Sequence, residues 1–168
     1  ETKKMADRLE EMIIKHELDE MDKAFVSSRD MFFLSTIDHQ GRPTVSYKGG
    51  DSGFVTVVDD QTIAFPSYDG NGMFFAMGNI AGNPDIGMLF IDFANPNRMR
   101  LQGSASIQDN DPLLSNYTGA ELIVRVAIQQ TWVNCPRYIH RYKKLDASKN
   151  VPRANQHTPL ATWKRLDV

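Results

Sequence analysis

The chain has 168 residues and a single cysteine, Cys135, so it can form no internal disulfide. Its four histidines are scattered, and with one cysteine they make no metal-ligand cluster by spacing. No apolar run is long enough to cross a bilayer as a helix. The opening residues, "ETKKMADRLEEM", are polar and helix-forming rather than signal-like. Charge of one sign is not in excess. Nineteen Lys and Arg face 21 Asp and Glu, a formal charge of −2, which argues against a general nucleic-acid binder. Also absent are a Gly-x-Ser-x-Gly elbow, a Walker loop, a Gly-x-Gly-x-x-Gly turn after a strand and a His-Glu-x-x-His helix. The lone thiol has no residue placed as its base and reads as a buried or partly buried side chain. A reducing cytoplasm is the expected setting.

What the chain does have is enough apolar residues, 41%, for one domain with a substantial core over residues 1–168. Residues 3–27 read as an N-terminal helix. Met5, Leu9, Met12 and Ile13 form an apolar stripe, and Leu18, Met21 and Phe25 continue it after a phase slip near His16. From about 28 to 135 the pattern is short strands and turns. "MFFLSTID", "TVSYK", "FVTVV" and "TIAFP" come first, the last ended by Pro66. "MFFAMGNIAG" suits a short helix stopped by "GNP". "DIGMLFIDF" is nearly all apolar and reads as buried on both faces. "RMRLQGSASIQ" and "ELIVRVAIQQTWV" are the last strands. "NCPRYIHRYKK" reads as a C-terminal helix with Pro136 in its first turn, followed by a polar tail to residue 168. The fold class is mainly β with flanking helices, an antiparallel barrel or sandwich.

Four places carry residue types suited to chemistry. Lys48 ends a strand and precedes Gly49 and Gly50. A cation beside bare backbone can hold a phosphate, although a strand-end lysine is also an ordinary solvated residue. In "PSYDGNGM", Ser67 follows a strand, and Asp69 and Asn71 flank Gly70. These are turn formers, but they lead into a helix N-terminus, where free N–H groups favour anions. Arg98 and Arg100 alternate on one strand face, as an anion clamp or a charged rim. Arg137 and Arg141 fall one turn apart on the expected C-terminal helix, as a closing group or a solvated basic end.

Taken in order, "FLSTIDHQGRPTVSYKGGDSGFV", "DGNGMFFAMGNIAGNPDIGMLFIDF", "RMRLQGSASI" and "NCPRYIHRY" resemble the FMN-binding split-barrel proteins related to pyridoxamine 5'-phosphate oxidase. The last stretch is similar to a less characterised branch of FMN-dependent enzymes. The resemblance implies a six-stranded antiparallel split barrel forming a homodimer, with FMN in clefts between the subunits. By the same resemblance, Lys48 is the basic residue near the FMN phosphate, and Ser46 and Tyr47 lie on the strand lining the cofactor. Pro66 and Ser67 are the strand end against the flavin, and Asn71 and Met73 lie in the phosphate loop. Asn79 is on the short helix, open between capping and cofactor contact. Arg98 reaches FMN from the other subunit, and Arg137 closes the cleft. Met73 stands where relatives carry Arg or Lys, and Pro43 where the vitamin B6 oxidases have arginine. Their Arg-x-His substrate signature is not evident. The expected activity is a flavin-dependent oxidoreductase, with NADH or NADPH as a possible donor and an unknown substrate. The alternatives are a non-catalytic flavin-binding or sensing protein, or a split barrel holding a deazaflavin or a haem-derived ligand.

Overall fold

A computed structural model describes residues 12–70 and 72–159. Seven strands form one antiparallel sheet: β1 Met31–Ile37, β2 Pro43–Gly49, β3 Thr56–Asp59, β4 Thr62–Tyr68, β5 Asp85–Asp92, β6 Asn97–Gln108 and β7 Ala120–Asn134. Their order is β2-β1-β5-β6-β7-β4-β3, so the sheet stays open with β2 and β3 at its edges. This is one strand more than the resemblance implies. Helix α1 (Glu20–Ser27) precedes the sheet, and α2 (Phe75–Gly82) links β4 to β5.

Alternation in the sequence sets the core. In β1, Phe32, Leu34 and Thr36 are buried while their neighbours are half-buried. In β5 the buried set is Ile86, Met88 and Phe90. Phe32 is the hub: its ring lies 5.0 Å from Phe65, 5.3 Å from Phe90 and 5.7 Å from Phe54, which joins β1, β4, β5 and the β2–β3 loop in one aromatic cluster. β5 is therefore fully buried on one face only. Leu89 and Ile91, on its other face, are half-buried.

Two expectations give way at the ends of the chain. The first helix does not run through residues 14–19. There Lys15 pairs with Thr131 in a β-bridge, and the Leu18 N–H donates to the Asp60 carbonyl at 2.7 Å. The phase slip near His16 is thus a real break. A new helix starts behind the Asp19 cap, whose carboxylate accepts from the Asp22 N–H at 2.9 Å. Residues 3–11 lie outside the described residues. Likewise, 136–159 contain no helix. The segment has too little apolar surface to pack as one, and its polar groups bond instead to the sheet's loops.

Pro66 falls inside β4 rather than ending it. It lies beyond the last β3 pairing, where β4 is paired with β7 alone, an edge position of the kind that tolerates proline. Gly103 lies opposite a bulge in β7, where Gln129 is the extra residue between the Gln102–Gln130 and Gly103–Ile128 pairs. A Cβ at this position would stand 2.4 Å from the Ala127 carbonyl oxygen and 2.9 Å from Val126 Cγ1. Gly103→Ala must separate β6 from β7 and is expected to cost roughly 1–3 kcal/mol, read as a lower urea midpoint with an unchanged slope.

Candidate functional site

The register of β2 on β1 divides its side chains. Lys48, Ser46 and Thr44 lie opposite Phe32, Leu34 and Thr36, on the core face. Tyr47 and Val45 lie on the other face, opposite Phe33 and Ser35. Tyr47 is 63% exposed, and its ring meets Phe33 edge-on at 6.1 Å.

Lys48 is partly buried and has no hydrogen-bond or ion-pair partner among the described residues. Burial lowers its ammonium pKa. Ser46 Oγ, one strand step along the same face, is buried without a hydrogen bond. A buried hydroxyl without a partner is uncommon and points to a missing one. The two glycines after Lys48 have a different use from bare anion-binding backbone. The Tyr47 ring packs over Gly49, with Cε1 2.7 Å from where a Cβ would be, and Phe54 packs over Gly50 at 2.5 Å. The Gly50 N–H already donates to the Asp30 carbonyl at 2.9 Å.

Asn79 ties α2 to the β1–β2 hairpin. Its amide donates to Thr36 Oγ1 at 3.0 Å and Thr44 Oγ1 at 3.3 Å, and the two threonines bond each other at 2.8 Å. The helix is thereby seated over the start of the face that leads to Ser46 and Lys48. Its N-terminus has no side-chain cap, and the capping residue, Phe74, is left-handed at φ 46°. Pro66 and Ser67 are buried in β4, and Met73 is 59% exposed just before the helix. Asn71 lies outside the described residues.

Arg98 is on the opposite face from Lys48. Its register partners are Ile91 and Asn134, while the core face at this level holds Phe90 and Met99. Arg98 Nε and Asn134 Oδ1 are both buried without hydrogen bonds. Arg137 is exposed and stacks over Tyr138 at 5.8 Å, on extended chain. Cys135 is exposed too, contrary to expectation, because it follows the last residue of β7 and leaves the sheet before Pro136.

Sequence reading missed the course of the C-terminal segment. From β7 it passes the β5–β6 turn, where the Tyr142 N–H donates to the Phe93 carbonyl at 3.0 Å and Arg141 Nε to the Ala94 carbonyl at 3.2 Å. It then passes the start of β1, where Lys144 Nζ meets Asp30 at 2.5 Å. Beyond β2, Arg153 holds Asp51 through two bonds of 2.8 and 2.5 Å. The segment is a strap across the end of the sheet that carries Lys48. Its signal in the sequence is cationic density: Arg137, Arg141, Lys143, Lys144, Lys149 and Arg153 against the lone Asp146.

A family model described as pyridoxamine 5'-phosphate oxidase matches residues 18–135, the whole span from α1 through β7. The chain belongs to the pyridoxamine 5'-phosphate oxidase family. Solved structures of this fold agree. A candidate pyridoxamine 5'-phosphate oxidase from Lactobacillus delbrueckii is 20% identical, covers 70% of this chain and 95% of its own, and superposes with a TM-score of 0.57. HupZ from Group A Streptococcus is 18% identical with a TM-score of 0.56, covering 69% of this chain and 98% of its own. HutZ, the heme storage protein from Vibrio cholerae, is 19% identical with a TM-score of 0.51, covering 69% and 94%. No functionally curated protein matches the chain. The match ends at Cys135, so the strap lies outside the family model. Among the described residues no helix is long and apolar enough to cross a membrane, and no group of His, Cys, Asp and Glu could hold a metal.

Proposed function

We propose that the protein binds FMN and acts as a flavin-dependent oxidoreductase of a substrate still to be found. The observation that carries this reading is Lys48, a partly buried cation with no partner among the described residues, on one strand face with the Ser46 hydroxyl, which is likewise unbonded among them. Burying a charge without compensation costs stability, and an anion there would supply it. Lys48 would hold the phosphate, Ser46 would donate to it or to the ribityl chain, and the uncapped end of α2 would add backbone N–H groups. The flavin supplies the redox chemistry when bound. The chain positions it and, on this reading, supplies no general acid or base.

Two copies would share the site. Lys48 and Arg98 lie on opposite faces of one sheet, so a ligand touching both is reached from two chains. The face carrying Arg98 also presents Val45, Tyr47, Phe33, Leu89 and Ile91, apolar groups that a second copy would cover.

The test is spectroscopic. Purified protein titrated with FMN is expected to show perturbed flavin absorbance, and to bind riboflavin more weakly because the phosphate contact is missing. Equal affinity for the two would remove Lys48 as a phosphate anchor. Indifference to both, with a Soret band appearing on haem addition, would replace flavin with haem. Anaerobic reduction of bound flavin by NADH or NADPH separates an oxidoreductase from a protein that only holds flavin.

A further inference from the structure

The strap closes one wall of a cavity of about 380 Å³, within the size range of small-molecule sites. Its other walls are the β2–β3 loop, the end of β4 and the turn that precedes β7. Three aromatic side chains line it, Phe54, Tyr68 and Tyr117, and Pro152 of the strap faces them. Both charged residues of the lining, Asp51 and Arg153, are bonded to each other by two contacts, so the cavity offers no free charge to an ion. The neutral polar groups are better placed. Tyr68 sits at a register shift against β7, where Glu121 is the extra residue, and its hydroxyl has no hydrogen-bond partner among the described residues. Tyr68 is half-buried and lines the cavity beside Tyr117 and Asp51, and burial raises its pKa.

The strap's seat is also specific. Gly119 is left-handed at φ +74°, and a Cβ there would stand 2.8 Å from Pro152. The strap therefore approaches the backbone as closely as a glycine permits. Arg153, the next residue, fixes it through Asp51.

From these observations we infer that the cavity under the strap is a second binding site, separate from the anion site at Lys48, for an uncharged flat ring compound hydrogen-bonded to Tyr68. Aromatic walls favour a planar apolar body. The paired charges reject an ion, which would be desolvated without compensation. The inference does not rest on flavin binding.

Saturation-transfer NMR on the full chain tests it with three probes: benzamide, indole and benzoate. Benzamide and benzoate share a shape and differ in charge. Benzamide and indole are expected to receive magnetisation, with benzoate at least fivefold weaker. Arg153→Ala, which frees the strap wall, should weaken benzamide at least fivefold, and Lys149→Ala should leave it unchanged. Tyr68→Phe keeps the ring and should weaken benzamide while sparing indole, a readout that holds even where the strap variant is poorly folded. Binding of none of the probes, benzoate binding as well as benzamide, or benzamide binding unaffected by both Arg153→Ala and Tyr68→Phe would overturn the site. Displacement of benzamide by FMN would overturn its separateness, whereas simultaneous binding, or no FMN binding at all, leaves it standing.

Discussion

Asp111→Ala is expected to destabilise the fold by about 3 kcal/mol, the largest single effect foreseen here. Asp111 is 3% exposed, at the start of a short 3-10 turn, Pro112–Asn116, that covers the outer face of β7. Its carboxylate accepts two bonds from Arg125 at 2.5 and 3.1 Å and one from the Leu113 N–H at 2.9 Å. Removing it leaves a guanidinium short of its partner and uncaps the turn. Arg125 keeps some access to water, with 27% of its side chain exposed, which holds the cost near the lower end for buried pairs. The Arg125 hydrogen bonds hold the Asp111 carboxyl below its ordinary range, assisted by the Leu113 N–H against the opposing effect of burial. A depressed folded-state pKa fixes the sign. The contribution is fully present above the unfolded carboxylate pKa, about 3.9, and is lost as pH falls through the folded one. Urea melts of the wild type and of Asp111→Asn should therefore differ most near neutral pH and converge in acid. A gap that stays constant with pH would mean that the ion pair is not its source.

Lys48→Met is expected to act in opposite directions on stability and binding. Without a ligand, the variant should be more stable than the wild type by about 1 kcal/mol, because a partly buried ammonium without a partner is replaced by a side chain of similar length that packs. With FMN, affinity should fall by about 1–3 kcal/mol, the range for a lost charge-assisted contact. Thermal melts with and without FMN, together with a titration, measure both. The burial-lowered Lys48 pKa also has a sign. The unfolded chain holds this proton more tightly, so the penalty applies at neutral pH and is relieved as pH rises through the folded-state pKa. The stability advantage of Lys48→Met should accordingly shrink at high pH. A variant less stable at pH 7 without ligand would show that Lys48 has a structural partner.

Much of the fold was legible because its causes are local. Alternation in "MFFLSTI" decides which side chains are buried in β1, and "GNP" stops α2 at Gly82, with Asn83 extended as its cap. The even-numbered face of β2 likewise follows from a period of two, so Ser46 and Lys48 had to share a side. What one sequence leaves open is which side that is. Only the pairing of Lys48 with Phe32 places the lysine toward the core, and only the pairing of Arg98 with Ile91 places the arginine away from it. Register is a long-range choice, and a slip of one residue reverses every side chain.

The glycine pair after Lys48 shows the same division. Two glycines beside a cation suggest exposed backbone, yet they are required by Tyr47 and Phe54 folding over them, which depends on where those rings pack. The strap is the extreme case. "NCPRYIHRYKK" has helix-compatible spacing, but helical spacing stabilises only a segment with an apolar face to bury. Its course is instead set by four points on distant loops, Phe93, Ala94, Asp30 and Asp51, which no local pattern could bring together. The sequence by itself determined the strands, the second helix and the residues able to meet an anion. The tertiary structure decided the face each residue takes, the extended course of residues 14–19 and the cavity under the strap, because those depend on contacts between segments far apart along the chain.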